Sequence, residues 1–158
     1  MSKKINLLVF GGDYDKALAA FVIANGAREM ELDVSMFFAF WGLLIVRAPD
    51  RFSVTNKGLL EKIFSLITPK GPEGLTLSKL NMFGIGQRML KVMMKNKNKP
   101  MLEDFIEGAR KKKVKFYGCK LSMEVMGFKK EDMIPELEII DVNQYLKDAL
   151  ESDVQLFV

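Results

Sequence analysis

The sequence predicts a three-layer α/β domain built on a mostly parallel sheet of about five strands, and three observations carry that reading. Ile5-Asn6-Leu7-Leu8-Val9-Phe10 is a short apolar run stopped by Gly11-Gly12, the pattern of a strand buried on both faces. A run of helix formers from Ala17 to Met30 follows, then the valine- and aromatic-rich segment Asp33 to Phe40. Strand, helix and strand within about forty residues make a βαβ unit with a right-handed crossover. The second half returns to the same rhythm.

Asp13 is the expected N-cap of the first helix, and Gly26 weakens that helix without ending it. Beyond Trp41-Gly42 the pattern loosens. Gly58 to Leu66 reads as a short helix, and Thr68-Pro69-Lys70-Gly71-Pro72-Glu73-Gly74 as a loop. Gly86 to Lys95 reads as an amphipathic helix. Met89, Val92 and Met93, on one of its faces, are expected to cover the core, with Arg88, Lys91 and Lys95 on the other. Pro100 is expected to open a helix from Met101 to Lys111. Then come a strand at Val114–Tyr117, a helix at Lys120–Met126 and a strand at Glu138–Val142. A helix at Asn143–Ser152 and a closing strand at Val154–Val158 complete the chain. No internal repeat or composition break divides it, so one domain over residues 1–158 is expected, with a mobile insertion around residues 50–84.

Composition narrows the chemistry. With 49% hydrophobic and 28% charged residues, 158 residues suffice for a substantial core. There is one cysteine and no histidine. An internal disulfide and a cysteine metal cluster are therefore ruled out. So is any Ser-His-Asp or Cys-His mechanism that relies on this chain alone. No metal or cofactor is expected. The start Met1-Ser2-Lys3-Lys4-Ile5 shows no leader pattern, and the longest nearly uncharged run, Val34 to Val46, falls short of the roughly twenty residues that a spanning helix needs. A soluble, cytoplasmic protein is expected, with peripheral membrane or partner contact by the basic helix near Arg88 as the alternative to its covering the core. The cluster Arg110-Lys111-Lys112-Lys113 with Lys115 reads as a solvated helix end. No aromatic-interleaved basic surface accompanies it, so nucleic-acid binding is not expected. The methionines at 82, 89, 93, 94, 101, 123 and 126 suit core or interface packing better than copper.

Candidate chemistry centres on Cys119. It follows a strand and Gly118 and precedes a helix, at the carboxyl edge where open parallel sheets bind ligands. The unpaired N–H groups of a helix start suit an anionic sulfur, Lys120 adds a cation, and Ser122 offers a hydroxyl. A small buried hydrophobe is the competing reading. Gly12 and Asp13 lie at the corresponding edge after the first strand. Gly11–Asp15 fits neither a dinucleotide fingerprint nor a phosphate loop, and its carboxylates would repel phosphate, so a tight turn and cap are preferred there. Trp41 either walls an apolar pocket around Cys119 or joins a subunit interface, while Phe38 and Phe40 are expected in the core.

Gly12-Asp13-Tyr14-Asp15-Lys16-Ala17, Phe37-Phe38-Ala39-Phe40-Trp41-Gly42-Leu43 and above all Tyr117-Gly118-Cys119-Lys120-Leu121-Ser122-Met123, with Met126-Gly127, resemble the DsrE/DsrF-like family. Within it they are similar to the DsrE2-type branch, often labelled peroxiredoxin-like. The resemblance spans nearly the whole chain. It implies a flavodoxin-like α/β/α fold assembled as homotrimers or homohexamers. It also implies a sulfur relay, in which Cys119 takes sulfane sulfur as a persulfide or thiosulfonate from a donor protein and passes it to an acceptor. On this reading Gly118 and the backbone after it cradle the sulfur, and Trp41 shields it. The same family includes non-catalytic assembly subunits, which is one alternative; a nucleotide- or flavin-binding module using Gly11–Asp15 is another. Two departures bear on the chemistry. The Phe37–Leu43 segment lacks the second cysteine of some relatives, and Phe116 stands where peroxiredoxins place a threonine, so peroxidase activity is not expected.

Overall fold

The computed structural model describes residues 2–51 and 57–158. Residues 52–56 of the expected insertion lie outside the described residues. Among the described residues five strands form one sheet: β1 (Lys4–Val9), β2 (Asp33–Phe38), β3 (Lys115–Cys119), β4 (Leu137–Ile140) and β5 (Val154–Phe157). Their order is β4-β3-β2-β1-β5, and all four pairings are parallel. From β1 to β4 the chain steps toward one edge, so the right-handed rule puts α1 (Tyr14–Glu29), α4 (Leu102–Lys111) and α5 (Lys120–Met126) on one face. The return from β4 to β5 runs the other way and carries α6 (Val142–Leu150) across the opposite face. The α/β/α layering follows from that single reversal. Between β2 and α4 lie a seven-residue 3-10 turn, Phe40–Val46, then α2 (Leu59–Ile67) and α3 (Ile85–Asn96).

On the α1 face, Leu7, Val9, Met36, Phe38 and Phe116 are fully buried against Phe21, whose ring lies 6.2 Å from those of Phe38 and Phe116. The α6 face is held differently. Asp148 projects from α6 onto the sheet and accepts hydrogen bonds of 2.6 Å from both Asn6 Nδ2 and Ser35 Oγ, while Lys4 pairs with its other oxygen. The Phe37 and Tyr145 rings stack 4.4 Å apart beside it. Burial opposes the charge on Asp148, but the hydrogen bonds from Lys4, Ser35 and Asn6 outweigh it and hold its pKa below the usual carboxylate value.

Residues 57–84 are pinned to the domain at several points. Arg47, buried at the end of the 3-10 turn, donates to the carbonyls of Ser65, Thr68 and Pro69 and lies 4.6 Å from the Phe128 ring centre. Lys57 and Asp132 form a fully buried ion pair at 2.6 Å. Tyr14 donates its amide to Thr76, and Ser78 donates its amide to Asp15.

Several expectations need correction. β2 ends at Phe38. Phe40 lies outside the core with φ of 47°, because the chain turns there into the 3-10 segment. Asp13 occupies the N-cap position of α1 with extended backbone, but its carboxylate pairs with Lys16 at 2.7 Å instead of capping an amide. Pro100 precedes α4 and does not open it: Met101 is the N-cap, and Asp104 reaches back to accept from its amide at 2.8 Å. α3 is rotated from the expected register. Gly86 lies so close to Leu80 that an added Cβ would stand 1.9 Å from the Leu80 carbonyl oxygen. That approach turns Gly86, Leu90 and Met94 inward and leaves Met89, Val92 and Met93 each more than half exposed.

Two tests follow from these contacts. Gly42 packs on the end of β1, where a Cβ would stand 2.0 Å from the Val9 carbonyl oxygen, whereas Gly26 in α1 has open space around it. Denaturant unfolding is expected to show Gly42→Ala losing about 3 kcal/mol and Gly26→Ala gaining about 0.5–1 kcal/mol. For Asp148, the lowered pKa contributes stability above the unfolded carboxylate value of about 3.9 that disappears as pH falls through the folded value. Asp148→Asn is expected to cost about 2–3 kcal/mol at pH 7, and that gap closes below about pH 4.

Candidate functional site

Cys119 is the last residue of β3 and the N-cap of α5, and it is half-buried. Its strand pairs Gly118 with Phe38 on one side and Cys119 with Ile140 on the other. The thiol thus stands at the carboxyl edge beside a central strand, where the chain leaves the sheet for a helix. Gly118 is closely packed there: a Cβ would meet Leu137 Cδ2 at 2.8 Å and Met123 Sδ at 3.1 Å. Those two side chains close beneath the corner and fix the path from strand to helix.

Lys120 is the first helical residue and is exposed. Ser122, in the first turn after Cys119, is fully buried, yet its hydroxyl has no hydrogen-bond partner. Buried hydroxyls are ordinarily satisfied, and this one shares its unpartnered state with Asn6 Oδ1, Arg47 Nε and Glu103 Oε1 elsewhere in the domain.

The second strand-end loop meets the first. A Cβ on Gly12 would stand 2.5 Å from the Trp41 carbonyl oxygen and 3.0 Å from Trp41 Cβ, so the backbones touch. Phe10, Phe40 and Trp41 from these loops, Ile63, Phe64 and Ile67 from α2, and Val125 and Met126 from α5 line an apolar cavity of about 610 Å³. Trp41 and Phe64 are in ring contact at 6.2 Å. Trp41 therefore does wall an apolar pocket. That pocket meets α5 only at the helix's far end, Val125 and Met126, so it is not the pocket around Cys119 that was expected. The expected set thus falls into two groups: Gly118, Cys119, Lys120 and Ser122 share one strand–helix corner, and Gly12 and Trp41 share a backbone contact. Asp13, paired with Lys16, begins α1 next to Gly12.

Two amides of the Gly11–Asp15 loop, those of Gly11 and Tyr14, are already engaged. The amides of Phe10 and Gly11 both donate to the Val158 carbonyl, and that of Tyr14 donates to Thr76. Burial would raise the Asp15 pKa, but hydrogen bonds from the Ser78 hydroxyl and amide lower it on balance. That leaves a carboxylate anchored to a loop.

Arg47, Lys57 and Asp132 are absent from the expected site. They hold α2 against the 3-10 turn and so build the cavity wall. The available signal was Arg47 itself, a lone cation ending the apolar run Leu43-Leu44-Ile45-Val46. A charge in that setting needs buried partners if the run is core.

Comparison with known proteins places this geometry. The profile of the DsrE/DsrF/DrsH-like family matches residues 1–157. The uncharacterized protein YrkE of Bacillus subtilis (strain 168) is 38% identical over 157 residues, covering 99% of this chain and 98% of that protein. The sulfur carrier protein DsrE2 of Allochromatium vinosum is 26% identical over 156 residues, again covering 99% and 98%. The crystal structure of the YchN protein from E. coli superposes with a TM-score of 0.61 over 100% of both chains. At 15% identity that likeness shows the fold alone. With a profile match from end to end, this chain belongs to the DsrE/DsrF/DrsH-like family.

Proposed function

We propose that this protein is a sulfur carrier of a sulfur-relay system, with Cys119 as the carrying residue. The observation that carries the proposal is placement: the one cysteine of the chain closes β3 at the carboxyl edge, half-buried, at the start of α5. Full-length similarity to a protein named as a sulfur carrier supports it.

The chemistry is sulfur exchange. The Cys119 thiolate attacks the outer sulfur of a donor persulfide. A bond forms between Cys119 Sγ and that sulfur as the donor's S–S bond breaks, and the donor leaves as a thiolate. With thiosulfate as donor the attack falls on its outer, sulfane sulfur, the S–S bond to the sulfonate breaks, and sulfite leaves. An acceptor thiolate then attacks the outer sulfur on Cys119, whose own sulfur leaves as thiolate, so no outside oxidant enters the cycle. In this reading the backbone from Gly118 onward cradles the sulfur, the Ser122 hydroxyl donates to it, and Lys120 offers a cation to an anionic donor group. Donor and acceptor proteins are then the partners, and one thiol suffices because resolution comes from the acceptor. Leu146, Leu150, Val154 and Phe157 are exposed on α6 and β5 and supply apolar surface for the homotrimer or homohexamer that the reading includes. The nucleotide alternative is opposed by the Asp13 and Asp15 carboxylates, which would repel a phosphate there.

Cys119→Ser is expected to abolish transfer of sulfur from a protein persulfide to an acceptor thiol while leaving the unfolding midpoint within about 1 kcal/mol of wild type. A variant that still transfers would sink the carrier reading. An unreactive wild type whose thiol resists alkylation would favour an assembly subunit.

A further inference from the structure

α3 presents apolar residues on two faces, and only one of them is used by the fold. Gly86, Leu90 and Met94 turn inward. Ile85, Met89, Val92 and Met93, at i, i+4, i+7 and i+8, form a second stripe that is more than half exposed along its length. Together with Arg88 they line a shallow depression of about 450 Å³. The turn before the helix extends the stripe: Leu80 and Met82 are strongly exposed, and Phe83 is fully so. Those three residues have φ of 57°, 44° and 57°, in the left-handed region that side chains rarely adopt. The backbone thus holds large apolar side chains out into water at a strained turn.

The charge around this surface is mainly positive, with Glu73 and Glu103 sharing a groove with Val92 and Lys95, and Asp15 held by Ser78 at its margin. Between Glu73 and Glu103 the chain carries Lys79, Arg88, Lys91, Lys95, Lys97 and Lys99 and no acidic residue at all. Lys91 is engaged within the domain, near Glu103 and over the Tyr14 ring. The others are exposed around the apolar stripe. A second copy of this chain is a poor occupant, because pairing the surface with itself would bring two sets of cations together. An anionic lipid surface satisfies both features. Its acyl boundary receives the apolar stripe, and its phosphates receive the cations. No helix among the described residues is long and apolar enough to cross a membrane, so the contact is an interfacial one.

We propose that residues 79–99 form a peripheral docking surface for an anionic membrane. Phe83, Met89, Val92 and Met93 enter the headgroup–acyl boundary, and Lys79, Arg88 and Lys95 contact lipid phosphates. The proposal is independent of sulfur chemistry at Cys119.

The test is co-sedimentation of the full chain with phosphatidylcholine vesicles prepared with and without phosphatidylglycerol. Binding is expected to the phosphatidylglycerol vesicles only, and to fall as salt shortens the Debye length below about 10 Å. Lys79→Gln and Lys95→Gln are each expected to weaken it about fivefold, the effect of roughly one surface cation. Phe83→Ser is expected to weaken it at least as much while thermal unfolding and alkylation of Cys119 stay at wild-type values. Absence of binding at low salt overturns the proposal, as does binding that none of these variants weakens. It is equally overturned if the vesicles stay unbound while sedimentation velocity shows a self-association that Phe83→Ser abolishes, since the surface would then belong to a second copy.

Discussion

The carboxyl edge of this protein is organised by two close backbone approaches that only glycine permits. Gly42 seats the 3-10 turn against the Val9 carbonyl, and Gly12 receives the Trp41 backbone in return. A side chain at either position would have to displace main chain, not a flexible neighbour. Once the two loops are locked, the consequences run outward. The turn directs Phe40 and Trp41 toward the edge, buries Leu43 to Val46, and delivers Arg47 into the interior. Arg47 in turn gathers the carbonyls at the end of α2, and the buried Lys57–Asp132 pair fastens the start of that helix to the segment after α5. The apolar cavity is what remains between these fixed walls.

The Cys119 corner rests on the neighbouring strand. β3 is flanked by β2 and β4, so the position of Cys119 is set by main-chain pairing on both sides. Gly118 beneath it lets Met123 and Leu137 close the packing, and α5 starts without a side-chain cap. A chain with one thiol and no imidazole has few ways to do covalent chemistry, and exchange at sulfur is the one that needs neither a general base nor a second cysteine. The same poverty of groups makes the unpartnered Ser122 hydroxyl notable, because it is the nearest buried donor along the chain.

Much of this was legible before any coordinates. Short apolar runs ending in glycine announced β1, and the alternation of strands with helices announced a parallel sheet, because parallel pairing requires crossovers. The helix Lys120–Met126 was read with its observed limits, since Cys119 ahead of it and Gly127 beyond it are strong boundaries. What escaped was set by contacts between distant segments. Phe40 looked like strand because nothing in its neighbours reveals that Gly42 must meet Val9. The inward face of α3 could not be chosen from periodicity, since the helix carries two apolar faces and the decision lies with Gly86 against Leu80. Asp148, Arg47 and Lys57 are buried charges, and only their partners, distant in sequence except for Ser65 near Lys57, make that burial tolerable.

The central claim is that Cys119 is a place where sulfur rests between two proteins. Intact-mass spectrometry after incubation with thiosulfate, tetrathionate or a protein persulfide tests it most directly, with a reductant added afterwards and the adduct mapped by peptide. The account predicts a gain of sulfur or thiosulfonate on Cys119 that the reductant reverses. A chain that takes no adduct from any of the three donors, with its thiol also closed to alkylation, would contradict it.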